Sequence, residues 1–256
     1  MTGEIRVIPL RGIPELREGD DLAAEVLSAA ERTGGFEVGD VLVVAQKAVS
    51  KVEGRIVPLQ DVEPSDRARE LAADLDPRRM EVILREAKRI VRVRPPLVIA
   101  ETRHGFVCAS AGVDSSNAGE AGAVVLLPSD PDASAKALRE RIRHVSRVDV
   151  AVIVSDSFGR AWRQGTTDIA LGVAGLKPVR DLNGLRDPTG YELHATQIAI
   201  ADEIAGAAEL VMGKLDDIPA AIVRGLEISG EGAGADLLMP PERDLFRGDA
   251  ALDSTA

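Results

Sequence analysis

Seven short apolar runs, each closed by glycine, proline or a charged turn, alternate with stretches of helical period, and that alternation commits the chain to a mixed α and β architecture. The runs are Ile5 to Ile8, Val41 to Ala45, Val98 to Thr102, Phe106 to Ser110, Val124 to Leu127, Val150 to Ser155 and Ala221 to Arg224, and all read as strands. Arg103-His104-Gly105 joins two of them as a hairpin. Helices are expected over Asp21 to Arg32, stopped by Gly34-Gly35; Ser65 to Leu75; Pro77 to Val91, with proline in the first turn; Ala133 to His144; and Thr196 to Met212. In the last, Thr196 suits an N-cap, and Ile200, Ile204, Ala207, Ala208 and Val211 fall at the spacing of a buried stripe. An antiparallel hairpin beside strands without regular crossover helices points to α+β, with mixed or antiparallel sheets and packed helices, rather than to a doubly wound sheet. One unit over 1–256 is expected. Pro128 to Asp132 and the glycine-rich 229–235 stretch mark either a division into two subdomains or surface loops.

Charge and rare residues narrow the function classes. With 31 Lys+Arg against 42 Asp+Glu, the net charge of −11 argues against a surface built to grip nucleic acid. The six aromatics, Phe36, Phe106, Phe158, Trp162, Tyr191 and Phe246, are too scattered for a platform on which single strands stack. Cys108 is alone, which excludes an internal disulfide and any multi-cysteine metal site, and His104, His144 and His194 lie far apart. No apolar run approaches the roughly 20 residues of a membrane span, and the first residues lack the basic and apolar regions of a secretion signal. A cytoplasmic protein with no membrane partner is expected.

Three segments carry candidate chemistry. The Val150 to Ser155 run leads into Asp156-Ser157-Phe158-Gly159-Arg160, delivering a carboxylate to a loop at the edge of a sheet. Asp and Ser oxygens are hard ligands suited to Mg2+ or Mn2+; the alternative is that Asp156 caps its own turn. Arg160, Trp162, Arg163 and Gln164 follow, and guanidinium forks bind carboxylate or phosphate in pairs, unless this is a solvated turn. Asp114-Ser115-Ser116-Asn117 offers a second carboxylate, or an Asx turn. Lys47 and Lys51, four apart after the Val41 to Ala45 run, share one helical face or sit together in a loop; either a phosphate or plain solvent is their partner. The common frameworks are absent: Gly213-Lys214 has no upstream glycine of a phosphate loop, Gly230, Gly232 and Gly234 follow no convincing strand, and there is no GxSxG elbow.

Taken in order, these segments resemble the coenzyme F420 gamma-glutamyl ligase family over nearly the whole chain. The matching pieces are Ile13-Pro14-Glu15-Leu16, Glu18-Gly19-Asp20-Asp21-Leu22, Ser50-Lys51-Val52-Glu53-Gly54-Arg55, Ala111-Gly112-Val113-Asp114-Ser115-Ser116-Asn117 and Ser155-Asp156-Ser157-Phe158-Gly159-Arg160. Further along come Asp187-Pro188-Thr189-Gly190-Tyr191-Glu192-Leu193, Ala201-Asp202-Glu203-Ile204-Ala205, Met212-Gly213-Lys214 and Ile218-Pro219. The resemblance implies a GTP-dependent ligase that adds L-glutamate to coenzyme F420-0 and then forms gamma-glutamyl links, through an acyl phosphate. It also implies an intertwined homodimer, a two-metal Mg2+ or Mn2+ site with room for K+, and no C-terminal reductase-like domain in this chain. No protein nucleophile is needed.

By position, the resemblance places one cation on Asp114 and Asp156 and a second on Ser157. It lines the GTP site with Ile13, Pro14, Glu15, Leu16, Gln46, Lys47, Lys51 and Asn117, and with the loop Met212, Gly213, Lys214, Leu215, Asp216, Asp217 and Ile218. Arg160 and Arg163 join Asp114 and Asp156 as candidate catalytic groups. Members show small hydroxyl residues where this chain has Gln46-Lys47, and some have an acid where Lys214 stands; here Asp216 or Asp217 supplies that carboxylate, or Lys214 meets phosphate itself. Asp202 and Glu203 read as structural. Few aromatics leave Trp162 and Phe158 as the side chains available to a ligand ring. A metal-dependent phosphohydrolase and a non-catalytic nucleotide-binding dimer are the competing readings.

Overall fold

The computed structural model describes residues 3–119 and 121–246; Met1 and Thr2 of the N-terminus and the tail after Phe246 lie outside them. In chain order the elements are β1 (Arg6–Pro9), α1 (Leu22–Glu31), β2 (Val41–Ala45), α2 (Gln46–Val52), β3 (Ile56–Pro58), α3 (Asp66–Ala72), α4 (Pro77–Glu86), β4 (Ala87–Arg94), β5 (Leu97–Thr102) and β6 (Val107–Ala109). There follow β7 (Ala123–Val125), α5 (Pro131–Ser146), β8 (Ala151–Arg160), β9 (Arg163–Ala174), β10 (Arg180–Asp181), β11 (Gln197–Ile198), α6 (Ile200–Met212) and β12 (Ala220–Arg224). The fold is α+β.

The main sheet runs β1-β12-β2-β8-β9, and only β2 and β8 are parallel neighbours. The central stretches Val41 to Ala45, Ala151 to Val154 and Ala220 to Val223 are apolar at every position because both faces are covered. Leu42, Val44, Val152, Val154 and Ile222 pack toward α1 and α5, whereas Val43, Ile153, Ala221 and Val223 pack toward α6. A separate packing centre, with Met80, Ile83, Val98 and Val124, gathers α3, α4 and the three-stranded sheet β4-β5-β6. Phe106, Cys108, Leu127, Phe158 and Leu171 bridge that small sheet to the β8–β9 hairpin.

Capping chemistry starts α1 and α3 where the sequence suggests, and starts α5 two residues before the expected Ala133. Asp21 accepts from the Ala24 amide at 3.1 Å, Ser65 from Ala68 at 3.2 Å and Asp130 from Ala133 at 3.0 Å, each satisfying a first-turn donor. The Pro128 to Asp132 break is thus the start of α5, which packs on β8 and β9. Four further expectations differ from the structure. The helix expected to run to Val91 stops at Glu86, since Arg89-Ile90-Val91-Arg92-Val93-Arg94 alternates and pairs with β5. Thr196 caps nothing: α6 begins after Ala199, while Gln197–Ile198 pairs with β10. The strand expected to end before Asp156 continues to Arg160, because β9, which the sequence reading missed, pairs along it. Phe158 is buried edge-on against Phe106, with ring centres 6.3 Å apart, so it is a core residue and not a ligand surface. At Gly172 an added Cβ would lie 2.0 Å from the Pro131 carbonyl oxygen, so only glycine lets α5 approach β9. No helix among the described residues is long and apolar enough to cross a membrane.

Candidate active site

Topology brings four separate segments to one edge of the main sheet. β2 and β8 are parallel and in register from Val41↔Ala151 to Ala45↔Ser155, so Gln46 and Asp156 leave the sheet at the same end. β1 and β12 run antiparallel with Pro9↔Ala221, which puts the exit of β1 and the entry to β12 at that end too. The Ile13 to Leu16 segment and the Met212 to Ile218 loop therefore flank the carboxyl ends of the parallel pair. The Ala45 amide donates to the Pro219 carbonyl oxygen at 2.8 Å and ties the second loop in place.

The segment after β2 is a helix, α2, and its two lysines share a face directed at the Asp114 loop. The Lys47 ammonium donates to Asp114 Oδ2 and Ser116 Oγ, both at 2.5 Å. Lys51, buried, donates to Glu15 Oε1 at 2.5 Å and Asn117 Oδ1 at 2.9 Å. Two residues one turn apart thus gather Glu15, Asp114, Ser116 and Asn117 from distant parts of the chain. Gln46 is fully buried; its carbonyl takes the Ser50 hydroxyl at 2.9 Å, and its amide nitrogen has no partner. Ile13 and Leu16 are buried in the core, so only Pro14 and Glu15 of that segment expose side chains.

The two candidate catalytic aspartates differ in their affinity for protons. Burial alone would raise Asp114, but hydrogen bonds from Lys47 and from the Ser116 amide and hydroxyl outweigh it and hold the carboxyl below its ordinary range. Asp156 is pushed up to about 6, chiefly by burial, with the Ser157 amide and the charges of Lys47 and Lys214 only partly offsetting that penalty. A split pair of this kind is how one site holds groups for different tasks. Burial also pushes the Cys108 thiol up to about 12, with the charge of Asp156 adding to the rise, so it remains an inert neutral core group.

Asp168, on β9, is a site residue the sequence reading missed. It sits opposite Ser157 in the hairpin register and accepts the Ser157 hydroxyl at 2.5 Å and the Ser155 hydroxyl at 2.9 Å. Its amide donates to Glu209 Oε2 at 3.2 Å. The alternating Thr167, Ile169, Leu171 and Val173 were the signal for a returning strand that would have placed it there. The Lys214 ammonium reaches the Ser157 hydroxyl from the loop after α6. Met212 and Ile218 are buried at that loop's ends, while Gly213, Lys214, Leu215, Asp216 and Asp217 are exposed.

Other residues stand apart from this cluster. Arg160 and Arg163 are exposed at the far end of the hairpin, Arg160 roughly 13 Å along the strand from Asp156. Trp162 lies between them, mostly exposed, its ring 5.0 Å from that of Phe246. Asp202 accepts from the Ala170 amide at 2.9 Å and joins α6 to β9; burial raises its carboxyl.

The donor set fits a hard divalent cation. Mg2+ is commonly bound through one or two carboxylates, with water and substrate phosphate completing its shell, and Asp114 and Asp156 meet that requirement with oxygen ligands of which one is short of positive charge. No group of three His, Cys, Asp or Glu side chains converges among the described residues, so a cation here would share its shell with substrate.

Comparison with known proteins follows the same residues. The family model described as F420-0:gamma-glutamyl ligase matches residues 12–225. The coenzyme F420:L-glutamate ligase of Methanothermobacter thermautotrophicus is 42% identical over 252 residues, covering 95% of this chain and 99% of the relative. Its counterparts in Methanopyrus kandleri and Archaeoglobus fulgidus are 45% and 41% identical, each over 95% of this chain, and 98% and 96% of the relatives are covered.

Proposed function

Because the chain belongs to the F420-0:gamma-glutamyl ligase family, we propose that it couples cleavage of GTP to amide formation between coenzyme F420-0 and L-glutamate, and then adds glutamate through gamma links, as a homodimer. The observation that carries this reading is the α2 face, where Lys47 and Lys51 hold Asp114 and Asn117 at the same sheet edge as the half-buried Asp156. A nucleotide polyphosphate would find ammonium groups, a helix start and two carboxylates there.

The chemistry divides into two transfers. A carboxylate oxygen of coenzyme F420-0 attacks the γ-phosphorus of GTP, the bond to the β-phosphate oxygen breaks, and GDP leaves an acyl phosphate. The neutral amine of glutamate then attacks the acyl carbon, inorganic phosphate leaves, and the amine proton is lost to solvent. Neither transfer needs a nucleophile from the chain, in keeping with a buried and protonated Cys108. Asp114 and Asp156 would hold the divalent cation, which when bound neutralises charge on the phosphoryl oxygens. Lys47 is placed to exchange its Asp114 contact for a phosphate oxygen. Lys51, wedged between Glu15 and Asn117, fixes the backbone around the nucleotide. Arg160 and Arg163 offer forks for substrate carboxylates.

Incubation with Mn2+, GTP, L-glutamate and coenzyme F420-0 should yield GDP and a product heavier by one glutamyl residue, read by mass spectrometry. GDP release that ignores glutamate would identify a phosphohydrolase instead, and nucleotide binding without turnover a non-catalytic dimer. Either result sinks the ligase reading.

A further inference from the structure

The hydroxyl of Ser157 has one proton to give and two lone pairs to receive. The proton points at Asp168 Oδ1, 2.5 Å away, and the other oxygen of that carboxylate is taken by the Ser155 hydroxyl at 2.9 Å. The accepting side of Ser157 meets the Lys214 ammonium. Neighbouring strand residues point to opposite faces, so Asp156, paired with Ile169, looks away from the face on which Ser157, Asp168 and Lys214 meet. The loop's own acids do not enter this face: Asp216 folds back over Gly213, where an added Cβ would lie 2.2 Å from Asp216 Oδ2, and Asp217 is exposed. A cation at Ser157 would have to displace the Lys214 ammonium from that hydroxyl, and the neighbouring Asp168 carboxylate already has each of its oxygens taken by a serine hydroxyl.

We infer that Lys214 supplies the second positive charge of the phosphate site, so that each chain binds one divalent cation, on Asp114 and Asp156, and none on Ser157. Asp168 holds the Ser157 hydroxyl with its lone pairs toward the lysine, and the flexible lysine stem lets the ammonium swing onto a phosphoryl oxygen of the bound nucleotide. The inference rests on the proposed nucleotide-dependent reaction and specifies how its charge is balanced.

Counting bound Mn2+ by electron paramagnetic resonance, with saturating non-hydrolysable GTP analogue, tests it. The wild-type chain and Lys214→Arg should each hold one Mn2+, and Lys214→Glu should hold two. Lys214→Met should bind the analogue roughly 10- to 100-fold more weakly, the loss expected for a charge-assisted contact. Two Mn2+ on the nucleotide-loaded wild type, or unchanged analogue affinity in Lys214→Met, overturns this inference and leaves the ligase reading standing. A wild-type chain that binds no analogue overturns both. Lys214 is exposed, so these replacements disturb no packed core.

Discussion

Asp156→Asn is expected to abolish amide formation while making the ligand-free chain more stable at neutral pH. Residues that merely orient a metal ligand cost roughly 10- to 100-fold when changed, and removal of the ligand charge itself should exceed that. The stability gain follows from the direction of the Asp156 shift. Burial pushes its carboxyl up to about 6 in the folded chain, from an ordinary 3.8. Between those two pH values the folded state binds more protons than the unfolded one, so stability falls as pH rises through the window and the full penalty is present above it. Two pH units correspond to about 3 kcal/mol as an upper bound, and asparagine, which never ionises, escapes it. Thermal melts at pH 7.5 should show the variant higher than wild type, and melts at pH 4 should bring the two together. A divalent cation should raise the wild-type melting temperature and leave the variant's unchanged. A variant that melts below wild type at pH 7.5 and keeps its ligase activity would remove Asp156 from the site.

Arg224→Ala should be the most damaging change outside the site, at about 3–5 kcal/mol. Arg224 ends β12 and donates to Asp40 Oδ1 and Oδ2 and to the Gly35 carbonyl, each at 2.8 Å, and also to Glu37. Asp40 is fully buried and its remaining contact is the Glu37 amide at 2.7 Å. Without the guanidinium, a buried carboxylate loses its counter-charge and two of its donors. Lysine should restore only part of the loss, because a point charge cannot fork across both oxygens. Denaturant titration reads the effect, and a loss under about 1 kcal/mol would show that Asp40 finds another partner or water. Arg224 stands at the opposite end of β12 from the Lys214 loop, so the folded fraction of the variant should turn over normally.

These two residues illustrate how unequally the sequence can be read. Asp156 was legible because a strand-length apolar run leads into it and because Ser155-Asp156-Ser157-Phe158-Gly159-Arg160 is family wording. The Arg224–Asp40 pair, 184 residues apart, carries no local signature. Asp168 fell between the cases: its strand alternates, yet its role depends on the hairpin register that sets it against Ser157. The β4 strand was hidden because its residues continue a helix whose first turns are strongly amphipathic, and only pairing with β5 turns them into a sheet edge.

The sequence by itself determined the α+β class and the helix starts at Asp21 and Ser65, and it pointed to most of the charged groups that the structure gathers at this sheet edge, because period, caps and motif wording are local properties of the chain. Only the tertiary structure decided that Lys47 and Lys51 face Asp114 and Asn117, that Phe158 is core, that Lys214 rests on Ser157, and that Asp114 and Asp156 part in their affinity for protons. The reason is that contact and desolvation depend on what packs around a group, and here the packing partners come from segments tens of residues away.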